Sequence, residues 1–276
     1  MTIIKTRIVF LSAALVATAS WLGACASQPN AGCPVSTSNP AFGLPPYWVK
    51  YDRISASGAC GDLKGEGIGF QKYNTPGTKE IRLGYAIEGL GGPYSEGRVD
   101  PADPEGKNIN GFSKLPPVPN AEGYCEVTEF RGAPRDGGSL DAPQQNFEEI
   151  PDSPLADGGV EAGMPALSRK YEFQKLKFLA TVNAPGTLFT GELKLTENTC
   201  TATFKTTGLW PQIHCDPKLN EPNGYSLECD PEPKPDAGHI QGSGINPTFS
   251  TKEKPITCGK SGSCEIQLTI EEISKL

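Results

Sequence analysis

YEFQKLKFLATVNAPGTLFTGELKLTENTCTATFKTTG, residues Tyr171 to Gly208, is the stretch that decides the fold. Its last third alternates strictly, with Cys200, Ala202 and Phe204 on one parity and Thr201, Thr203 and Lys205 on the other. A period of two places one set on a buried face and the other in water, as a half-buried strand requires. The first third, Tyr171–Val182, changes phase. Tyr171 and Phe173 share one parity, while Leu176, Phe178, Ala180 and Val182 share the other. One extra residue in a bulge reconciles the two runs. Asn183-Ala184-Pro185-Gly186-Thr187 is a turn signal, and Glu197-Asn198 fits a tight hairpin. With Leu188–Thr196 as the middle strand, the stretch predicts a three-stranded antiparallel meander.

The same period recurs outside it. Ile81, Leu83, Tyr85 and Ile87 alternate with Arg82, Gly84, Ala86 and Glu88; Cys264, Ile266, Leu268 and Ile270 alternate with Glu265, Gln267, Thr269 and Glu271. Weaker strand patterns cover Tyr47–Ile54, Gly67–Tyr73 and Tyr124–Phe130. Helical periodicity is absent from every long window. The expected fold class is therefore all-β: about eight or nine short antiparallel strands packed as a disulfide-stapled β-sandwich with long Pro/Gly-rich loops. Two segments read as irregular, Gly91–Gly123 and Arg131–Pro165. The second reads as a linker or surface excursion and could split the β-rich domain, residues 47–276, into two halves near 131–165. A single domain with an excursion is the preferred arrangement.

Nine cysteines make an odd set. Setting Cys25 aside leaves Cys33, Cys60, Cys125, Cys200, Cys215, Cys229, Cys258 and Cys264, an even number that reads as a disulfide framework in an exported chain. Sequence leaves the connectivity open. Short loops suggest Cys258–Cys264, Cys215–Cys229 and Cys33–Cys60, with Cys125–Cys200 remaining. Zinc is disfavoured, because there is no C-x₂-C pair and His214 and His239 are not spaced as ligands.

Cys25 stands aside because of what precedes it. Lys5 and Arg7 form a positive n-region, Ile8–Leu22 an apolar run too short to span a bilayer, and Leu22-Gly23-Ala24-Cys25 closes it. An ordinary signal peptidase could cut after Ala24-Cys25-Ala26, but the quartet resembles the lipobox of bacterial lipoproteins, which is cut before the cysteine. That resemblance implies a signal peptide over residues 1–24, a diacylglycerol thioether on Cys25 and an acylated, palmitate-bearing new N-terminus. Several acyl chains together anchor a protein firmly, since each buried CH₂ contributes about 0.8 kcal/mol. In such lipoproteins Asp after the cysteine favours inner-membrane retention; Ala26 therefore points to the cell outer membrane. Residues 25–46, rich in Ser, Asn, Pro, Ala and Gly, read as a lipidated tether whose far end Cys33 pins to the fold. Pro/Asp/Gly-rich loops and paired cysteines behind a lipobox resemble the envelope lipoproteins of myxobacteria. Some lipoproteins of that kind serve gliding motility or cell contact.

Loss of Lys5 and Arg7 takes the formal net charge from −7 to −9. Such a chain, without a basic patch, is a poor nucleic-acid binder. Candidate chemistry is sparse. His214 beside Cys215 could make a nucleophile, but an oxidised Cys215 forecloses it. Gly259-Lys260-Ser261-Gly262-Ser263 lacks the spacing of a serine-hydrolase elbow and reads as a turn. Gly65-Glu66-Gly67-Ile68-Gly69 is glycine-rich, but it lacks a following helix and the Lys-Ser or Lys-Thr of a phosphate loop. The run containing Asp100, Asp103 and Glu105 offers oxygen ligands for calcium, against a plain acidic loop. Trp48, Trp210 and several tyrosines could line a carbohydrate platform, against burial of strand aromatics in the core. No catalytic residue, cofactor or firm metal site follows. The expectation is a membrane-anchored lipoprotein that works through envelope proteins as a non-catalytic interaction or structural component. A ligand-, calcium- or glycan-binding module is the alternative. An envelope hydrolase would require two inward-facing carboxylates in a cleft.

Overall fold

The computed structural model describes residues 32–38, 44–74, 77, 80–135, 138–251, 253–273 and 275. Residues 1–24, Cys25 and most of the tether lie outside these, and Cys33–Leu276 form one compact unit.

Ten strands form one antiparallel sheet. They are β1 (Tyr47–Ala56), β2 (Gly65–Asn74), β3 (Ile81–Ile87), β4 (Asn110–Leu115), β5 (Tyr124–Glu126), β6 (Thr128–Gly132), β7 (Gln144–Phe147), β8 (Leu167–Thr181), β9 (Ala184–Glu197) and β10 (Cys200–Leu209). The order runs β5-β8-β9-β10-β1-β2-β3-β4-β6, and β7 pairs with the far end of β8. The predicted meander is β8-β9-β10. Its register shifts between Gln174 and Lys177, and Lys175 takes a left-handed φ of 52°, which is the bulge that the phase change requires. Asn198, at the next hairpin, has φ 51°, a conformation that asparagine tolerates well.

The all-β, antiparallel, disulfide-stapled reading holds. The two inner faces of the expected sandwich belong to one sheet, which curls until its edges nearly meet. Tyr124–Phe130, expected as one strand, divides at Val127. The residues before it join one edge of the sheet as β5, and those after it join the other edge as β6. Its N–H donates to Leu176 O (2.8 Å), holding the crossing in place. The curl exists because every strand presents its apolar parity inward. Tyr47, Phe70, Phe178 and Phe189 meet at the centre with ring centroids 5.2 to 6.1 Å apart, several edge to face. Burying each such side chain contributes about 1.5–3 kcal/mol.

β1 lies between β10 and β2, so the N- and C-terminal halves share one sheet. The Arg131–Pro165 segment is an excursion of that unit. β7 within it returns to pair with Leu167–Lys170 of β8, and Ile150 bridges Met164. Residues 33–38 belong to the fold as well. Cys33 N donates to Pro117 O, Ser36 N to Gly186 O and Ser38 N to Phe70 O. The compact unit thus begins at Cys33, ahead of the expected boundary at residue 47.

The alternating run from Cys264 forms only a two-residue strand, β12 (Cys264–Glu265), paired with β11 (Thr257–Cys258). It then breaks into a short helix, Ile270–Ile273. Thr269 and Glu272 exchange hydrogen bonds, Glu272 N to Thr269 Oγ1 and Thr269 N to Glu272 Oε2, a capping box that favours helix over strand. This C-terminal region supplies a second apolar cluster, with Phe249, Ile256 and Ile266 packed on Leu179, Leu188 and Leu209.

The disulfides are Cys33–Cys125, Cys60–Cys200, Cys215–Cys258 and Cys229–Cys264. None of the short-loop pairings forms. Cys258 and Cys264 do face each other across β11 and β12, but each bonds instead to a cysteine upstream. The C-terminal cap is thereby sewn to itself over separations of 43 and 35 residues, and the sheet over 92 and 140.

Candidate functional site

Two adjoining hollows share Glu88, Gln212 and His214. The smaller, about 480 Å³, is polar and is lined among others by Trp48, Glu66, Arg169, Tyr171 and Glu197. The larger, about 700 Å³, is more apolar and lies along β2, β3 and β4. Glu66 follows Gly65 at the start of β2 and shares the inward parity of Ile68 and Phe70. Its carboxyl is buried, accepting from Tyr51 Oη (2.6 Å), Gly89 N (2.6 Å) and Tyr171 Oη (3.3 Å). Burial pushes its pKa up from 4.5 to about 7, against the opposing pull of those donors and of the Arg169 charge. Burial and the Glu66 charge likewise hold the hydroxyls of Tyr51 and Tyr171 well above the usual phenol range. Arg169 closes the polar end, with Nε on Glu197 (2.6 Å) and Nη1 on Gly89 O (2.8 Å). Glu88 opens α1 (Glu88–Ser95) and accepts from Gly67 N (2.7 Å) across the β2–β3 pair.

Two carboxylates in one cleft is the arrangement an envelope hydrolase would need. Here each is engaged by protein donors, Glu66 by two tyrosines and a main-chain amide, and Glu88 by another amide. Glu66 stabilises the fold only while protonated. An unfolded glutamate titrates near 4.5 and the folded one near 7, so its contribution is complete below pH 4.5 and is lost as pH rises through 7. The expected cost is about 3 kcal/mol. Thermal melting should show a lower midpoint at pH 8 than at pH 5, and Glu66→Gln should flatten that slope. An equal slope in the variant would refute the assignment.

The other sequence candidates fall elsewhere. Asp100 and Asp103 are buried, and their oxygens are taken by N–H donors. Asp100 accepts from Ala102 N and Asn146 N, and Asp103 from Lys107 N, Asn108 N and Gln145 Nε2. They staple the 100–108 loop to β7. Glu105 is exposed and pairs with Lys107. Cys215 is bonded to Cys258, so it offers no thiolate to His214. Sulfurs of Cys215, Cys229 and Cys264 lie within 4.8 Å of one another, but as members of two adjacent disulfides they are not thiolate ligands. Gly259–Ser263 is a hairpin turn, with Gly259 N donating to Ser263 O. Trp48 is buried, and its Nε1 donates to Glu265 Oε1 (3.4 Å). Trp210 is partly buried and donates to Pro45 O. Neither forms an open platform.

A family model described as MlpA matches residues 45–211. The chain belongs to the MlpA family. The matched span runs from the start of β1 past the end of β10, so the sheet and both hollows' strands are the family's common part. The C-terminal cap beyond Pro211 falls outside it. A Myxococcus xanthus protein named "Putative lipoprotein MlpA" is 28% identical over 267 residues, covering 94% of each chain. No solved structure matches the chain. Among the described residues, no helix is long and apolar enough to cross a membrane.

Proposed function

We propose that this MlpA-family chain is an envelope lipoprotein anchored in the outer membrane through lipid on Cys25, and that its β domain acts there as a non-catalytic binding component. One observation carries the anchor. All eight described cysteines pair among themselves in four disulfides, so the ninth, Cys25, is the one left for another chemistry. It stands where the lipobox resemblance puts the acceptor, and the name of the Myxococcus xanthus relative points the same way. The engagement of Glu66 and Glu88 by protein donors supports a binding role over hydrolysis.

Cys25→Ala should abolish palmitate labelling and move the protein from the membrane pellet to the soluble fraction. Ala26→Asp should shift the labelled protein from the outer- to the inner-membrane band of a density gradient. Retention of Cys25→Ala in the pellet would overturn the anchor. An unchanged gradient position for Ala26→Asp would overturn the outer-membrane assignment alone.

A further inference from the structure

The outward parity of β2 and β3 is unusually bare. Ile68 and Phe70 point into the core, so Gly67 and Gly69 face out, and on β3 Gly84 and Ala86 do the same. Gly69 lies opposite Ala86 and Gln71 opposite Gly84, which makes a floor two strands wide that is nearly free of side chains. The floor is kept bare by what lies over it. A Cβ on Gly84 would sit 2.7 Å from the Tyr73 ring and 3.6 Å from that of Phe112; one on Gly69 would sit 3.1 Å from Ser38 Oγ. The result is a slot walled by the Tyr73 and Phe112 rings over Gly84, with Ser38 over Gly69 and Glu88 and Gln212 beside Gly67.

The chemistry of the lining narrows the ligand. Among the described lining residues, planar hydrogen-bonding groups recur (Gln71, Glu88, Asn110 and Gln212), and there is neither lysine nor arginine. Phosphates and fatty-acid carboxylates would find no lysine or arginine there. Planar amides and carboxylates can bridge neighbouring hydroxyls, and an aromatic ring can cover the C–H face of a pyranose. Ser38 Oγ lies over this floor, its residue is more than nine-tenths buried, and the hydroxyl has no hydrogen-bond partner. A buried hydroxyl left unpaired is costly, and a ligand that supplies the missing bond would relieve it.

We infer that this slot is a binding site for a neutral glycan, with Tyr73 and Phe112 stacking on a sugar ring and Gln71, Glu88 and Ser38 engaging its hydroxyls. The inference rests on the binding role proposed above and specifies its ligand.

Saturation-transfer NMR on the lipidated protein in phosphatidylcholine nanodiscs tests it, with chitotriose, cellotriose and maltotriose as probes. At least one trisaccharide should receive saturation, and decanoate should not displace it. Tyr73→Ala removes a wall residue that is 43% exposed, so the fold should survive. It should weaken binding about tenfold. Gly69→Val should fill the floor and abolish binding. Ser261→Ala, in the polar hollow, should leave it unchanged. Silence from all three sugars, binding that survives both slot variants, or displacement by decanoate would each overturn the inference. None of these outcomes depends on fractionation, which alone tests the anchor.

Discussion

Phe70→Ala should lower the unfolding free energy by about 3–5 kcal/mol, the usual cost of emptying a large aromatic site in a packed core. Phe70 is 2% exposed on β2 and lies 5.2 Å, centroid to centroid, from each of Tyr47, Phe178 and Phe189. These neighbours come from β1, β8 and β9, so the ring ties together strands on opposite sides of the curled sheet. Rigid backbones on three sides leave little room for collapse into the hole. Tyr73, on the same strand but the opposite parity and exposed, gives the contrast: its alanine variant should cost no more than about 0.5 kcal/mol. Denaturant titration of both variants checks the pair of values. Equal midpoints would mean that the interior is not organised around these rings.

Removing Cys60–Cys200 by double substitution to serine should be as damaging. The bond joins the turn Ala59–Asp62 to the first residue of β10 across 140 residues of sequence. In the chain-entropy account a loop of that length restrains the unfolded state by about 5 kcal/mol. Whole domains are commonly stable by only about 5–15 kcal/mol. Guanidinium unfolding without reductant should show the loss directly, and an unchanged midpoint would show that the long loop is already restrained in the unfolded chain. Losing Cys229–Cys264, which closes 35 residues in the cap, should cost about 1 kcal/mol less.

Strands were legible because side-chain parity is a local signal. The phase change in Tyr171–Val182 located a bulge within a residue or two, and the meander followed from turn chemistry. Disulfide pairing was not legible, because it depends on which strands become neighbours. Cys60 and Cys200 meet only because β1 pairs with β10, a contact between distant parts of the chain. The helix Glu88–Ser95 was hidden by Gly89, Gly91, Gly92 and Pro93, residues that disfavour helix intrinsically. The Thr269–Glu272 capping box was a readable signal, outweighed by an alternating pattern that found a partner strand only at Cys264–Glu265.

The cleft was half legible. Glu66 shares parity with Ile68 and Phe70, and a carboxylate on an apolar parity marks a buried charge. Its glycine neighbours drew attention instead to a phosphate loop that the following residues do not support. Glu88 and His214 could not be joined to it from sequence, since the sheet and the C-terminal segment bring them together.

Cys33–Cys125 has a mechanical consequence. Tension arriving from the N-terminal side at Cys33 crosses the covalent bond to Cys125 on β5. The covalent path bypasses the intervening chain, with β1 through β4, which is tied to Cys33 and Ser38 by hydrogen bonds such as Lys72 Nζ to Cys33 O. The force passes instead into β8, to which Cys125 is registered opposite Phe178. A domain tugged by a membrane anchor would therefore be strained first along one short edge strand, ahead of the strands that floor the slot.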